Sequence, residues 1–178
     1  MKIGLKLGMI ELAEHDPMWK KLAIETIERL WCVFGSMAKD IQHFGSTAIA
    51  NIKAKPIIDI AIAVDEFEQI KSLIPAMEQE GFIIDYGVRG NEWHGFVVYS
   101  DSTRSADAYH IHIIKYNSEK WHGFLHFRDY MNANPCAAQE YEKCKIESME
   151  GLKNEDSRSA YTNSKNAYIV KVLTDSLL

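Results

Sequence analysis

The nine residues Pro56-Ile57-Ile58-Asp59-Ile60-Ala61-Ile62-Ala63-Val64 leave this chain the fewest choices. They are rich in β-branched side chains and too few for an ordinary helix, so the segment reads as a strand. Side chains alternate across a strand, which puts Ile58, Ile60, Ile62 and Val64 on a strongly apolar face and Asp59 on the other. The apolar face needs a cover. An amphipathic helix precedes it: Trp19, Leu22, Ala23, Ile27, Leu30, Trp31 and Phe34 recur at spacings of three and four. Asp16 serves as its N-cap, Pro17 takes the first helical position, and Gly35 stands where a left-handed C-terminal residue is wanted.

The remaining elements follow from period and punctuation. Ile3, Leu5, Leu7 and Met9 alternate with Gly4, Lys6 and Gly8, which predicts an extended edge segment, and Ile41 to Phe44 is a short apolar run ending at Gly45. A helix is expected from Glu66 to Glu80, ending at Gly81, with Pro75 kinking or restarting it. Trp93 to Tyr99 and Ala108 to Lys115 flank a polar loop and read as a hairpin. Beyond Asn117 the spacing turns helical. Ser118, Asn134-Pro135, and Asp156 or Ser157 open three helices, the last carrying Tyr161, Tyr168, Ile169, Val172 and Leu173. The order of helix, strands, hairpin and helices gives an α+β class, with no internal repeat.

At 178 residues the chain suits one domain, and 47% hydrophobic composition is enough to build its core without a staple. Twenty basic against 25 acidic residues leave a formal charge of −5, which argues against bulk nucleic-acid binding and against an anionic membrane surface. No stretch approaches the roughly 18 apolar residues of a membrane span. Three cysteines, with no Cys-x-x-Cys pair, suggest buried reduced thiols rather than a disulfide framework or a thiolate zinc site. A cytoplasmic location is expected.

Chemistry concentrates in His43-Phe44-Gly45-Ser46-Thr47 and Lys55-Pro56-Ile57-Ile58-Asp59. A strand that ends in Gly-Ser and turns into a short helix aims backbone N–H groups and a hydroxyl at whatever lies above, which suits a phosphate. If the strand bearing Asp59 returns beside the first, its carboxylate sits near that phosphate and can hold Mg²⁺. Phosphate grip and metal ligand then share one place.

These residues carry a resemblance. The run His43-x-Gly45-Ser46-Thr47-Ala48-Ile49 and the segment Ala54-Lys55-Pro56-Ile57-Ile58-Asp59-Ile60 resemble the GrpB family, whose members are similar to the polymerase-β-type nucleotidyltransferases. Asp16-Pro17-x-Trp19, His110-x-His112, Phe127-Arg128-Asp129-Tyr130, Asn134-Pro135, Tyr141 with Lys145, and Tyr161-x-x-x-Lys165 extend the match over nearly the whole chain. The resemblance implies a nucleotidyltransferase-like small mixed sheet with helices on one face and a C-terminal helical cap. It divides a single domain into a sheet core with its N-terminal helix (1–116) and the cap (117–178).

Two departures stand out. The family usually has Pro-Gly where this chain has Ala50-Asn51; asparagine tolerates the left-handed conformation, so the turn is expected to survive. Active members of the wider superfamily carry Asp-x-Asp or Asp-x-Glu on one strand face, and here the partner of Asp59 is Ala61. Asp65 is no substitute, because six strand residues at about 3.3 Å each place it roughly 20 Å away. His110 and His112 share a strand face and are the better source of ligands. Imidazoles beside Asp59 favour Mn²⁺ or Zn²⁺ over Mg²⁺.

The expected site therefore takes Asp59, His110 and His112 as metal ligands for a divalent cation, Mg²⁺ or Mn²⁺, with His112 the best candidate for a general base. Gly45, Ser46, Thr47, Lys55, Arg128 and Lys165 are the phosphate contacts. His43 reads as structural, and His122 and His126 lack the glutamate a His-Glu-x-x-His helix would place at Gly123. The leading function is transfer of a nucleotidyl group from a nucleoside triphosphate to a small acceptor. The alternative is a catalytically silent nucleotide, anion or protein binder, which the missing carboxylate favours; a metal-dependent hydrolase is third.

Overall fold

The computed structural model describes residues 3–85, 95–99, 104–150 and 157–176. Its strands are β1 (Leu5–Lys6), β2 (Ala38–Phe44), β3 (Ile58–Val64), β4 (Ile83–Asp85), β5 (Gly95–Tyr99) and β6 (Ala106–Lys115). Its helices are α1 (Met18–Phe34), α2 (Ile74–Gln79), α3 (Glu119–Ala133), α4 (Pro135–Glu150) and α5 (Ser157–Ser176). The strands form one mixed sheet in the order β2-β3-β6-β5-β4, with β1 added to β6. Among the described strands only β3 and β6 run parallel.

The β-branched run lies at the heart of this sheet. Ile58, Ile60, Ile62 and Val64 turn to one face and pack with Ala23, Leu30 and Phe34 of α1. On the other face Ala61 and Ala63 meet Phe44, Ile114 and Trp121, so the small side chains of β3 let α3 lie close. Asp16 caps α1 by accepting the Met18 N–H at 2.9 Å, and Ser118 caps α3 by accepting that of Trp121.

Several expectations are refined. The alternation near the N-terminus yields only a two-residue strand, because the chain turns after Lys6 and returns the Met9 N–H to its carbonyl. The helix expected over 66–80 is split at its proline: a 3-10 segment covers Phe67–Leu73, and α2 starts afresh around Pro75. The hairpin forms as expected, although Trp93, His94 and most of its loop lie outside the described residues, as does the candidate cap Asp156. Asn51 adopts φ 60°, the left-handed turn that the Ala50-Asn51 departure required. No described helix is long and apolar enough to cross a membrane.

The helices after β6 are tied to the segment after β2 rather than to the sheet alone. Ile49 and Ile52 pack with Phe127, Met131, Ala138, Tyr141 and Val172. Asn132 clamps the turn from α3, accepting the Ala50 N–H and donating to the Ala48 carbonyl, both at 3.0 Å.

Lys145 of α4 is 1% exposed, donates to the Lys53 carbonyl, and lies 4.7 Å from the centroid of the Tyr141 ring. Burial, seconded by the charge of Lys165, pushes its ammonium down from an ordinary value near 10.5 to about 7. Between those values the unfolded chain holds a proton that the folded chain does not, so stability rises with pH across this window, by up to about 1.4 kcal/mol per unit. Urea unfolding of wild type and Lys145→Met at pH 7 and pH 9.5 should therefore show the difference moving in favour of wild type at the higher pH. An unchanged difference would mean that Lys145 titrates as an ordinary lysine.

Candidate metal centre and phosphate cleft

Strand register assembles the acidic and imidazole groups. Asp59 on β3 lies opposite Phe44 of β2 on one side and His110 of β6 on the other, while Ala61 lies opposite His112. Residues directly opposite share a face, so Asp59, His110 and His112 converge. Asp59 Oδ1 is 3.4 Å from His112 Nε2 and 3.5 Å from His110 Nδ1, and one ligand atom from each residue lies within 4.8 Å of the others. Burial pushes the Asp59 carboxyl up, but hydrogen bonds from His110 and His112 outweigh it and hold the group well below the usual carboxylate range. Burial also lowers the His110 imidazolium; Asp107 and Asp59 more than reverse this and raise it to about 9.

The turn after β2 stands directly over that carboxylate. Gly45 has φ 73° and ψ −172°, a region essentially reserved for glycine, and a Cβ there would lie 2.5 Å from Asp59 Oδ2. A 3-10 turn, Ser46–Ala48, follows. Ser46 Oγ shares a 3.2 Å hydrogen bond with Tyr141 OH, and burial pushes the Tyr141 phenol up, so it stays protonated as a partner.

Gly45, Ser46, Asp59, His110 and His112 line one cleft of about 260 Å³. Lys6, Lys55 and Lys165 also line it, giving it three ammonium groups beside the two carboxylates of Asp59 and Asp107 and the two imidazoles. Its walls include Phe44, stacked on Phe124 at 4.4 Å, together with Tyr141 and Tyr161. Lys55 Nζ lies 4.3 Å from the centroid of the Tyr161 ring, and burial pushes the Tyr161 phenol up to about 12.

Two expected phosphate contacts are placed elsewhere. Thr47 is buried outside the cleft lining, donating to the Ile57 carbonyl at 3.3 Å and lying 3.0 Å from His43 Nε2. Burial lowers His43 to about 4, so it sits there as a neutral ring with a structural task. Arg128 binds Asp129, Gln42 Oε1 and the His43 carbonyl, at 2.7, 3.0 and 2.9 Å, and so fastens α3 to the end of β2 instead of facing the cleft. His126 pairs with Ser176 at 2.7 Å.

The polar lining residues that stood outside the sequence-based site are Lys6, Asp107, Tyr141, Tyr161, Thr162 and Asn166. Tyr141 stood within a family motif, yet nothing in its spacing tied it to Ser46, 95 positions away. Asp107 Oδ2 lies 3.2 Å from His110 Nε2, although strict alternation would send residues 107 and 110 to opposite faces.

Comparison with known proteins identifies the family and the fold. Residues 9–175 match the GrpB protein family. The chain belongs to the GrpB family. It is 31% identical to the glutamate-rich protein GrpB of Alkalihalophilus pseudofirmus over 97% of this chain and 99% of that protein. The crystal structure of the conserved protein GrpB from Enterococcus faecalis matches with a TM-score of 0.73 at 22% identity, covering 92% of this chain and 99% of that one. The Cid1 poly(U) polymerase, in a structure described as Mg 3'-dATP bound, matches with a TM-score of 0.53 at 15% identity, over 86% of this chain. This chain spans about half, 49%, of that polymerase, and the likeness is one of fold. This GrpB chain therefore has a nucleotidyltransferase-like α+β fold.

The contact between Gly45 and Asp59 is open to test. Gly45→Ala places a methyl group in a glycine-only conformation and against the carboxylate, and should cost about 1–3 kcal/mol in urea unfolding. Stability equal to wild type would contradict the close approach.

Proposed function

We propose that the cleft binds a nucleoside triphosphate together with one divalent cation, and that the protein transfers the nucleotidyl group to a small acceptor. The observation that carries this reading is the shared cleft: the Gly45-Ser46 turn and the Asp59 carboxylate open into the same space. The fold likeness to nucleotidyltransferases supports it, as does the charge pattern, since three lysines around a cation site suit a polyphosphate rather than a neutral ligand. In the same reading residues 1–116 supply the floor and 117–178 form a cap over it.

The donor set fits a cation of a particular kind. One carboxylate and two imidazoles suit Mn²⁺ or Zn²⁺, whereas Mg²⁺ prefers oxygen. Ala61, where the superfamily's second carboxylate would stand, is fully buried against Phe44 and Trp121, so an acidic side chain there would be sealed in hydrocarbon. The site accordingly suits one ion and not two. Asp59, His110 and His112 would hold it, and when bound it would neutralise phosphate charge as a Lewis acid. Ser46, Lys55 and Lys165 would bind and orient the phosphates, with Lys6 beside them. Transfer forms a bond from an acceptor hydroxyl oxygen to the α-phosphorus, breaks the α–β anhydride bond, releases pyrophosphate and passes the hydroxyl proton to solvent. His112 aims its Nε2 at Asp59, so this reading gives it a ligand's task in place of a base's.

The buried Ala61 also favours a second reading, a nucleotide binder without turnover, because two-metal phosphoryl transfer needs ligands for both ions. Thermal shift with each of ATP, GTP, CTP and UTP, with and without Mg²⁺, Mn²⁺ or Zn²⁺, separates the readings alongside release of labelled pyrophosphate. Expected are a raised melting temperature that needs both nucleotide and cation, its loss in Asp59→Asn, and pyrophosphate release with Mn²⁺ or Zn²⁺. Stabilisation without release would establish the binder; no stabilisation by any combination would overturn both.

A further inference from the structure

Asp107 stands where an unbroken strand would not put it. Alternation along β6 assigns a residue three positions from His110 to the opposite face. The pairing with β5 explains the exception: Val98 lies opposite Tyr109 but Tyr99 lies opposite Asp107, so β6 carries Ala108 as an extra residue. Such a bulge re-aims the side chains beside it. It turns Asp107 onto the face of His110 and brings Oδ2 to 3.2 Å from Nε2. β1 secures the same stretch from the other edge, with Leu5 opposite Asp107 and Lys6 opposite Ala106.

The His110 ring is thereby engaged at both nitrogens, Nδ1 3.5 Å from Asp59 Oδ1 and Nε2 toward Asp107. Once bound to a cation the imidazole is neutral, with one N–H and one lone-pair nitrogen, and the partner of the N–H decides which nitrogen offers the lone pair. We propose that Asp107 is a positioning residue of the metal centre: its carboxylate accepts the Nε2–H of His110 and commits the Nδ1 lone pair to the cation shared with Asp59 and His112. This inference rests on the cation reading of the cleft. A buried carboxylate is costly unless paired, and Asp107, 7% exposed, has His110 as the partner of its Oδ2 among the described residues. Outer carboxylates of this kind fix the tautomer and orientation of ligating histidines. The bulge and the Asp107–His110 contact act together: removing the extra residue would turn the carboxylate away.

The test compares Asp107→Ala, which removes the acceptor and the charge, with Asp107→Asn, which removes the charge and keeps an acceptor oxygen. Isothermal titration with Zn²⁺ and with Mn²⁺ should show Asp107→Ala binding about 10- to 100-fold more weakly than wild type, and Asp107→Asn within about fivefold. Nitrogen-15 NMR of the Zn²⁺-loaded wild type should show His110 protonated at Nε2 and metal-bound at Nδ1, a signature that a purely structural Asp107 would not set. Circular dichroism checks each fold, and if Asp107→Ala does not fold, Asp107→Asn and the tautomer carry the test. Wild-type affinity in Asp107→Ala, equal losses in both variants, or the opposite tautomer would overturn the inference while leaving the metal centre standing. A wild type that binds neither ion would overturn both.

Discussion

The contact on which the rest depends is that between the Asp59 carboxylate and the bare Cα of Gly45. A carboxylate in the middle of a sheet is tolerated only with partners, and β6 delivers two imidazoles to it by register. On its other side no side chain fits, so the turn after β2 must be glycine in a conformation that other residues avoid. That one constraint brings the backbone of the turn, the Ser46 hydroxyl and the acid into the same cleft. The helices beyond β6 hold the arrangement from outside through Asn132, Arg128 and Tyr141.

Much of this was legible in the chain because local rules decided it. The run Ile58 to Val64 could only be a strand with Asp59 off its apolar face, and His110 and His112, two apart, could only share a side. Asp16, Ser118 and Asn51 each did what their side chains favour. What escaped depended on long-range or irregular geometry. Arg128 reads as a phosphate ligand until β2 presents it with Gln42 and the His43 carbonyl. Thr47 reads as part of the grip until the turn rotates it inward onto Ile57. Asp107 was hidden by one extra residue in β6, which inverts the parity that sequence periodicity assumes.

The absence of a second strand carboxylate also acquires a physical cause. Ala61 is core, pressed by Phe44 and Trp121, and its small size is what lets α3 approach the sheet. The groups beside Asp59 come from the neighbouring strand and are imidazoles. A nucleotidyltransferase-like fold thus places one carboxylate and two imidazoles together, and three lysines line the cleft around them.

In the proposed reading, cation and phosphate meet between Asp59 and the Gly45-Ser46 turn. Anomalous diffraction from crystals soaked in Mn²⁺ and a non-hydrolysable nucleoside triphosphate tests it most directly. A peak is expected roughly 2.0–2.3 Å from Asp59, His110 and His112, with phosphate density beside Ser46. A peak away from these three side chains, or nucleotide bound outside the cleft, would contradict that reading.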